Sequence, residues 1–343
     1  RWQDALWLLR AAPGAAAAGR LVVCNAAIAA CQRGSQWRRA LALLGELAAH
    51  AIAPDGFTFS ALVSACARAR QWRGALSLFA GMQATPVPQC VVTRSAAIAA
   101  CEAGSLWQLA LHLFRGARHL CLRPDGVMHA TLLSAFEKGA QWEAAVHHLH
   151  SMSRGGAAPP NAIAVNSAIS ACEKGARWAQ ALALFREAPL HRARADVVMF
   201  SALVSAFEKA QQWVRALAVL GELRESGLLP DVAIVSAAIS ACERDAQWQL
   251  AVGLLHGLGS HRLEPNLISV NSALSACEKG MRWELAVALF DSLPGRPGLE
   301  LGASPVTWTA IVSACAASHQ WQRALRLLAA MAAAGAPARA DAV

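Results

Sequence analysis

Residues 21–55 read LVVCNAAIAACQRGSQWRRALALLGELAAHAIAPD. Leu21, Cys24, Ile28 and Cys31 recur at steps of three and four, a polar break spans Gln32 to Gln36, and Trp37, Ala40, Leu41, Leu44 and Leu47 resume the rhythm. Such steps place side chains on one face of a helix, so the stretch is two antiparallel helices joined by a short turn. A pair this small cannot bury its own apolar stripe and depends on neighbours of the same kind. The tryptophans show where those neighbours are. Trp2, Trp37, Trp72, Trp107, Trp142, Trp178, Trp213, Trp248, Trp283 and Trp321 are separated by 35, 35, 35, 35, 36, 35, 35, 35 and 38 residues.

With each Trp at position 17, the complete repeats are 21–55, 56–90, 91–125, 126–161, 162–196, 197–231, 232–266, 267–304 and 305–343. Residues 1–20 then form the second helix of a truncated repeat, and the chain is expected to be a piece of something longer. The break between helices recurs as Glu102-Ala103-Gly104-Ser105, Glu137-Lys138-Gly139-Ala140 and Glu173-Lys174-Gly175-Ala176, where Gly is expected to serve as a helix C-cap. Units end in Pro54-Asp55, Pro124-Asp125, Pro160-Asn161, Pro230-Asp231 and Pro265-Asn266, so Pro stops one helix and Asp or Asn caps the next. Small residues such as Ala26, Ala27 and Ala30 let first helices approach closely. The expected fold is all-α, a right-handed α-solenoid of stacked 35-residue helix-turn-helix repeats whose concave face is lined by first helices.

Composition agrees. With 56% apolar and 15% charged residues the chain is not a disordered one. No run of eighteen apolar residues occurs, so no membrane partner is expected. The net charge of +9 favours an anionic partner. Position 13 concentrates that charge, being Arg33, Arg68, Lys138, Lys174, Lys209, Arg244 or Lys279 in seven of the nine repeats. One cation per unit matches the phosphate track of a single nucleic-acid strand.

Seven cysteines, Cys31, Cys66, Cys101, Cys172, Cys242, Cys277 and Cys315, share position 11, where Phe136 and Phe207 fill the other two copies. Exchange with Phe marks them as reduced core thiols rather than disulfides or zinc ligands. His147, His148 and His150 form the one histidine cluster; they occur in a single repeat and are expected on a solvated convex face. No phosphate loop, His-Glu-x-x-His motif or nuclease-like acidic cluster is present, so no catalytic centre, metal or cofactor is expected.

The helix pairs resemble the pentatricopeptide repeat family over essentially the whole chain. The residues that carry the resemblance are Val22-Val23-Cys24-Asn25-Ala26-Ala27-Ile28, Val198-Met199-Phe200-Ser201-Ala202-Leu203-Val204 and Ile268-Ser269-Val270-Asn271-Ser272-Ala273-Leu274, with Arg39-Ala40-Leu41-Ala42-Leu43-Leu44 in the second helix. The tetratricopeptide family differs in its 34-residue period and its Gly-Tyr pairing, and this chain has no Tyr. The family's aromatic at position 4 survives as Phe59, Phe200 and Trp308, while Arg94 and His129 occupy it elsewhere, and those two repeats are expected to pack less regularly.

The resemblance implies single-stranded RNA bound at one base per repeat. Position 5 would select the base together with the last residue of the repeat. Asn25 with Asp55 implies U, Ser95 with Asp125 G, and Asn166 with Asp196 U. Ser201 with Asp231 implies G, Ser236 with Asn266 A, and Asn271 with Ser304 C. Ser60 with Cys90 and Ala130 with Asn161 fall outside the rule, and in the last repeat, whose end is Arg339 or Asp341, Thr309 with Asp341 implies G. Position 2, read as Val22, Phe57, Val92, Val127, Ala162, Val198, Ala233, Ile268 and Val306, would sandwich the bases. The implied setting is a mitochondrion or plastid, with a monomeric chain acting in RNA processing, stability, editing or translation. The alternatives are a scaffold holding an extended peptide in the groove, and the recognition half of a larger RNA-processing enzyme with an effector domain elsewhere.

Overall fold

The computed structural model describes residues 17–83, 85, 87–120, 122–155, 159–191, 193–260, 263–292 and 305–333. Trp2 and Ser304 lie outside them. The described residues are α-helical with short connections and no strand, and the chain divides into two compact units.

The unit formed by Arg1–Gly175 and Glu187–Ala193 holds α1 (Ala17–Arg33), α2 (Trp37–Ala49), α3 (Gly56–Arg68), α4 (Trp72–Gln83), α5 (Val91–Ala103), α6 (Trp107–His119), α7 (Gly126–Lys138), α8 (Trp142–Gly155) and α9 (Ala162–Lys174). The first helices α1, α3, α5, α7 and α9 pack on one another in order, and each second helix wedges between its own first helix and the next. The other unit, Ala176–Arg186 with Arg194–Val343, repeats this stacking with α10 (Trp178–Glu187), α11 (Val197–Lys209), α12 (Trp213–Glu225), α13 (Val232–Arg244), α14 (Trp248–Ser260), α15 (Leu267–Lys279), α16 (Trp283–Asp291), α17 (Pro305–Ala317) and α18 (Trp321–Ala333). Each unit is thus an α-solenoid of helix hairpins. Every second helix begins on its register Trp. The helix α1 already covers Ala17 to Arg20, ahead of Leu21.

The core is built from the small and aliphatic residues of the first helices, such as Ala27, Ile28, Leu62, Ala65, Ile98, Leu133, Ile169, Leu203, Ile239 and Leu274, all buried. The position-11 cysteines are buried among them. Desolvation pushes the Cys172 thiol up to about 12 and those of Cys101, Cys242 and Cys277 to about 11, so they remain protonated packing groups.

Glycine at position 14 caps the helices as expected, but it is not the left-handed residue of the turn, its φ being −91° at Gly104 and −82° at Gly139. The left-handed residue lies one position later and is never glycine: Ser35, Arg70, Ser105, Ala140, Ala176, Gln211, Ala246, Met281 and His319 all have φ between 53° and 57°. Glycine is also needed for close approach. A Cβ on Gly139 would meet Trp107 Cδ1 at 2.6 Å, one on Gly175 would meet Trp142 Cδ1 at 2.6 Å, and one on Gly280 would meet Trp248. The Trp of each of these repeats packs directly against the turn of the next.

His148 is not on the solvated face expected of it. It is buried, and its Nε2 lies 2.9 Å from Nδ1 of His129, while His147 is exposed and His150 faces Glu187 at 3.5 Å. Nor do Arg94 and His129 loosen their repeats. Both fill the position-4 slot against the Phe of the preceding second helix. Arg94 is buried over Phe79 and donates to Gln89 Oε1 (2.6 and 3.1 Å) and to the Leu113 carbonyl (2.7 Å). Burial lowers its pKa. No helix of the described residues is long and apolar enough to cross a membrane.

Candidate nucleic-acid interface

The last residue of each of the first seven complete repeats is the N-cap of the next first helix, with extended backbone and a side chain that accepts the N–H three residues on. Asp55 accepts from Thr58 N at 2.7 Å; Asp125, Asp196 and Asp231 accept from Met128, Met199 and Ile234 at 2.8 Å. Asn161 and Asn266 do the same through Oδ1, at 2.9 and 2.8 Å. Cys90 caps with sulfur at 3.5 Å, a weaker acceptor. These caps rotate the chain so that position 2 points outward. Val22, Phe57, Val92, Val127, Val198, Ile268 and Val306 are each more than half exposed, between 56% and 67%. Seven large apolar side chains standing in solvent at one register position are unexplained by core packing.

The cap also corrects the register of the fifth repeat. Because Asn161 is the N-cap and Ala162 begins the helix, position 2 there is Ile163, 62% exposed, and Ala162 is position 1. Counting from the Asn of the Pro160-Asn161 pair would have found it.

Position 5 sits beside the cap at the seam between neighbouring first helices. Asn25 Nδ2 donates to both carboxylate oxygens of Asp55 at 3.2 Å, and Ser236 Oγ lies 3.2 Å from Asn266 Oδ1. These pairs are 30 residues apart in sequence. Burial opposes ionisation of Asp55, but hydrogen bonds from the Thr58 amide and hydroxyl and from Asn25 outweigh it and hold the carboxyl below its ordinary range. The other hydroxyls differ. Ser60 and Thr309 turn back to the carbonyls of Phe57 and Val306 at 2.9 Å, as Ser236 also does to the Val232 carbonyl at 2.6 Å, Ser201 is half-buried, and Ser95 Oγ is buried without a hydrogen-bond partner. Ala130, in the fourth repeat, is buried and brings no polar group.

Shallow grooves run along these seams. One of about 390 Å³ is lined by Asn271, Val306, Thr309, Glu243 and Glu278 among others. A larger one of about 610 Å³ brings Val92, Ser95 and Val127 together with Arg68 and Lys138. The sequence-predicted apolar, base-facing and basic positions therefore share one surface within a unit.

The basic position carries a feature that the sequence reading missed. Lys138 pairs with Glu102 at 2.9 Å, Lys174 with Glu137 at 2.9 Å and Lys279 with Glu243 at 3.1 Å. Each is position 13 of one repeat bound to position 12 of the repeat before. The glutamates were visible in the recurring Glu-Lys-Gly motif, but their partners lie one repeat away. Arg33, Arg68, Lys209 and Arg244 stand exposed at the equivalent register.

Comparison with known proteins follows this register. The sequence profile of the PPR repeat matches residues 57–84 and 306–335, and that of the pentatricopeptide repeat domain matches 183–245. No curated protein sequence matches the chain. The crystal structure of the pentatricopeptide repeat protein PPR10 in complex with an 18-nt psaJ RNA element is similar with a TM-score of 0.69 and 16% identity, over 92% of this chain and 51% of that one. PPR10 from maize is similar with a TM-score of 0.50 and 18% identity, over 92% and 54%. The chain thus spans about half the length of these structures, and at such identities the likeness establishes the fold.

Proposed function

The chain is a pentatricopeptide repeat protein, and we propose that it binds single-stranded RNA along its first helices, one base per repeat. The observation that carries this reading is the row of exposed apolar side chains at position 2, with the polar contacts of Asn25 with Asp55 and of Ser236 with Asn266 at the seams beside it. An apolar side chain above and below suits the face of a base, and the polar pair suits its edge. The PPR10 complex with RNA supports the choice of ligand.

The caps give the edge chemistry a physical basis. A carboxylate that caps through Oδ1 keeps acceptor capacity, which suits the imino N–H of U or G. An Asn that caps through Oδ1 turns its Nδ2 donors elsewhere, which suits the ring nitrogen acceptor of A or C. Carried through the repeats, the preferred site is 5′-U-N-G-N-U-G-A-C-(G)-3′. Position 13 follows the phosphates, each Lys exchanging a Glu partner for phosphate where it is paired. The activity assigned to these residues is binding, by a monomer, to transcripts of a mitochondrion or plastid during processing, editing, stabilisation or translation.

Selection from a random RNA pool tests the reading. The site above should emerge in that order, and Asn166→Ser should move the fifth base from U towards G. A pool without that pattern, or a fifth base indifferent to the substitution, rejects base reading. Binding should also weaken with salt, log K against log salt sloping up to roughly −5 for seven phosphate contacts. A salt-independent complex would instead favour the peptide scaffold.

A further inference from the structure

The seams contain a third tier of residues at position 3 of the following repeat, fully buried and in contact with neither solvent nor groove. Four of them carry hydroxyls: Thr58, Thr93, Ser269 and Thr307. Two of these stay within their own cap. The Thr93 hydroxyl lies 3.0 Å from Cys90 Sγ, and Ser269 Oγ donates to the Asn266 carbonyl at 2.8 Å. The other two cross the seam. Thr58 Oγ1 donates to Asn25 Oδ1 at 2.6 Å, and Thr307 Oγ1 donates to Asn271 Oδ1 at 2.7 Å. The difference follows the residue at position 5, which is Ser60 or Ser236 where the hydroxyl stays and Asn25 or Asn271 where it crosses.

An asparagine amide has an acceptor end and a donor end of nearly equal shape, and only its partners decide which faces where. At Asn25 the choice is forced. Its Nδ2 faces both oxygens of Asp55 at 3.2 Å, where an amide oxygen would meet only negative charge. The opposite end must then be Oδ1, and a hydroxyl at 2.6 Å must donate to it. The hydroxyl of Thr58 has one proton and two acceptors in reach, Asn25 Oδ1 at 2.6 Å and Asp55 Oδ1 at 2.8 Å; the shorter contact goes to Asn25, while the Asp55 carboxylate is also served by the Thr58 amide and by Asn25 Nδ2.

We propose that Thr58 and Thr307 are specificity-determining positioning residues, which lock the amides of Asn25 and Asn271 with the N–H end towards the base. The inference rests on the base reading proposed above and adds to it a residue outside the reading pair. A locked donor accepts only partners with an acceptor at that edge. The pyrimidine O2 is one; the imino and amino groups of guanine are donors and are repelled. An amide free to flip would tolerate both, so the hydroxyl turns an adaptable contact into a selective one.

The test uses the chain with four 9-nt RNAs that differ only in the first base, and four that differ only in the eighth, with fluorescence anisotropy giving affinity ratios. Thr58→Val keeps the shape of the side chain and removes the hydroxyl. It should reduce the preference for a pyrimidine over guanine at the first base by about 3- to 10-fold, the span of one ordinary hydrogen bond. Thr307→Val should do the same at the eighth base. Thr58→Ser should retain the parent ratio. Thr93→Val, which disturbs a cap without touching an amide, should leave the ratios at the first and eighth bases unchanged. A merely structural role would lower affinity for all four RNAs alike and shift the melting temperature, leaving the ratios intact. If both Val variants keep the parent ratios while Asn25→Ala and Asn271→Ala lose them, amide locking is wrong and base reading stands. If the Ala variants also keep them, base reading by position 5 fails and the locking proposal falls with it.

Discussion

The junction between the fifth and sixth repeats and that between the third and fourth stack the same register positions with different chemistry. In the former, Phe200 meets Phe185 edge-on, with ring centroids 5.0 Å apart and planes at 65°. Trp178 lies 6.1 Å from Phe207, under the guanidinium of Arg215 at 3.9 Å. In the latter, His129 takes the place of Phe200 and meets Phe114 at 5.0 Å and 64°, while Trp107 lies 6.5 Å from Phe136. The position-4 ring meets its Phe in the same geometry at both junctions. What differs is the obligation that a polar ring brings, since a buried ring nitrogen needs a partner. His148 supplies it from α8 and itself packs edge-on against Phe114 at 5.0 Å. A slot shaped for an aromatic ring thus accepts an imidazole, provided that the second helix of the same repeat changes with it. Arg94 makes the same point one repeat earlier, where Gln89 and the Leu113 carbonyl take up its guanidinium and Gly116 leaves it room.

The largest effect should come from emptying the apolar slot. Phe200→Ala should cost about 3–5 kcal/mol in chemical denaturation, the range for a buried aromatic, and a cost below 1 kcal/mol would show that the slot is not part of the core. Next, Gly139→Ala should cost about 1–3 kcal/mol by overpacking against Trp107; at the matching position of the other junction Ala210 already stands, so Ala210→Gly should change little. A similar cost, about 1–3 kcal/mol, is expected for His148→Leu, which strands His129. Combined with His129→Phe it should recover most of that loss, and a double-mutant cycle without coupling would deny that the pair acts as a unit. Smaller still, Ala140→Gly and Gln211→Gly should each gain about 0.5–1 kcal/mol, because glycine relieves the left-handed φ at both turns; thermal melting would register it. The smallest stability change belongs to Lys138→Ala. Its exposed ion pair with Glu102 is worth under about 1 kcal/mol, while RNA affinity should fall for all sequences alike. A sequence-dependent fall would move Lys138 from the backbone track to the bases.

The sequence by itself determined the helix pairs, their period and their caps, because each depends on residues within one or two turns. Apolar steps of three and four, a Trp opening each second helix and the Pro-Asx stop are local signals, and they placed Val22, Asn25 and Asp55 correctly relative to their own helices. Where counting slipped, at Ala162 and Ile163, it slipped by one residue against a cap that the sequence also contained. Only the tertiary structure decided what meets across a seam. Asn25 reaches Asp55 over 30 residues, Thr58 reaches Asn25 over 33, and Lys174 reaches Glu137 over 37. A helical wheel gives each residue a face but no partner. The partner is fixed by how far one hairpin slides and rotates on the next, which is set by the summed packing of Trp on glycine and alanine on alanine along the stack. That is why the periodic pattern could mark glycine as the cap of the first helix without showing the Trp packed against it, and why a histidine on a second helix could look solvated when a second histidine, 19 residues away, had drawn it into the core.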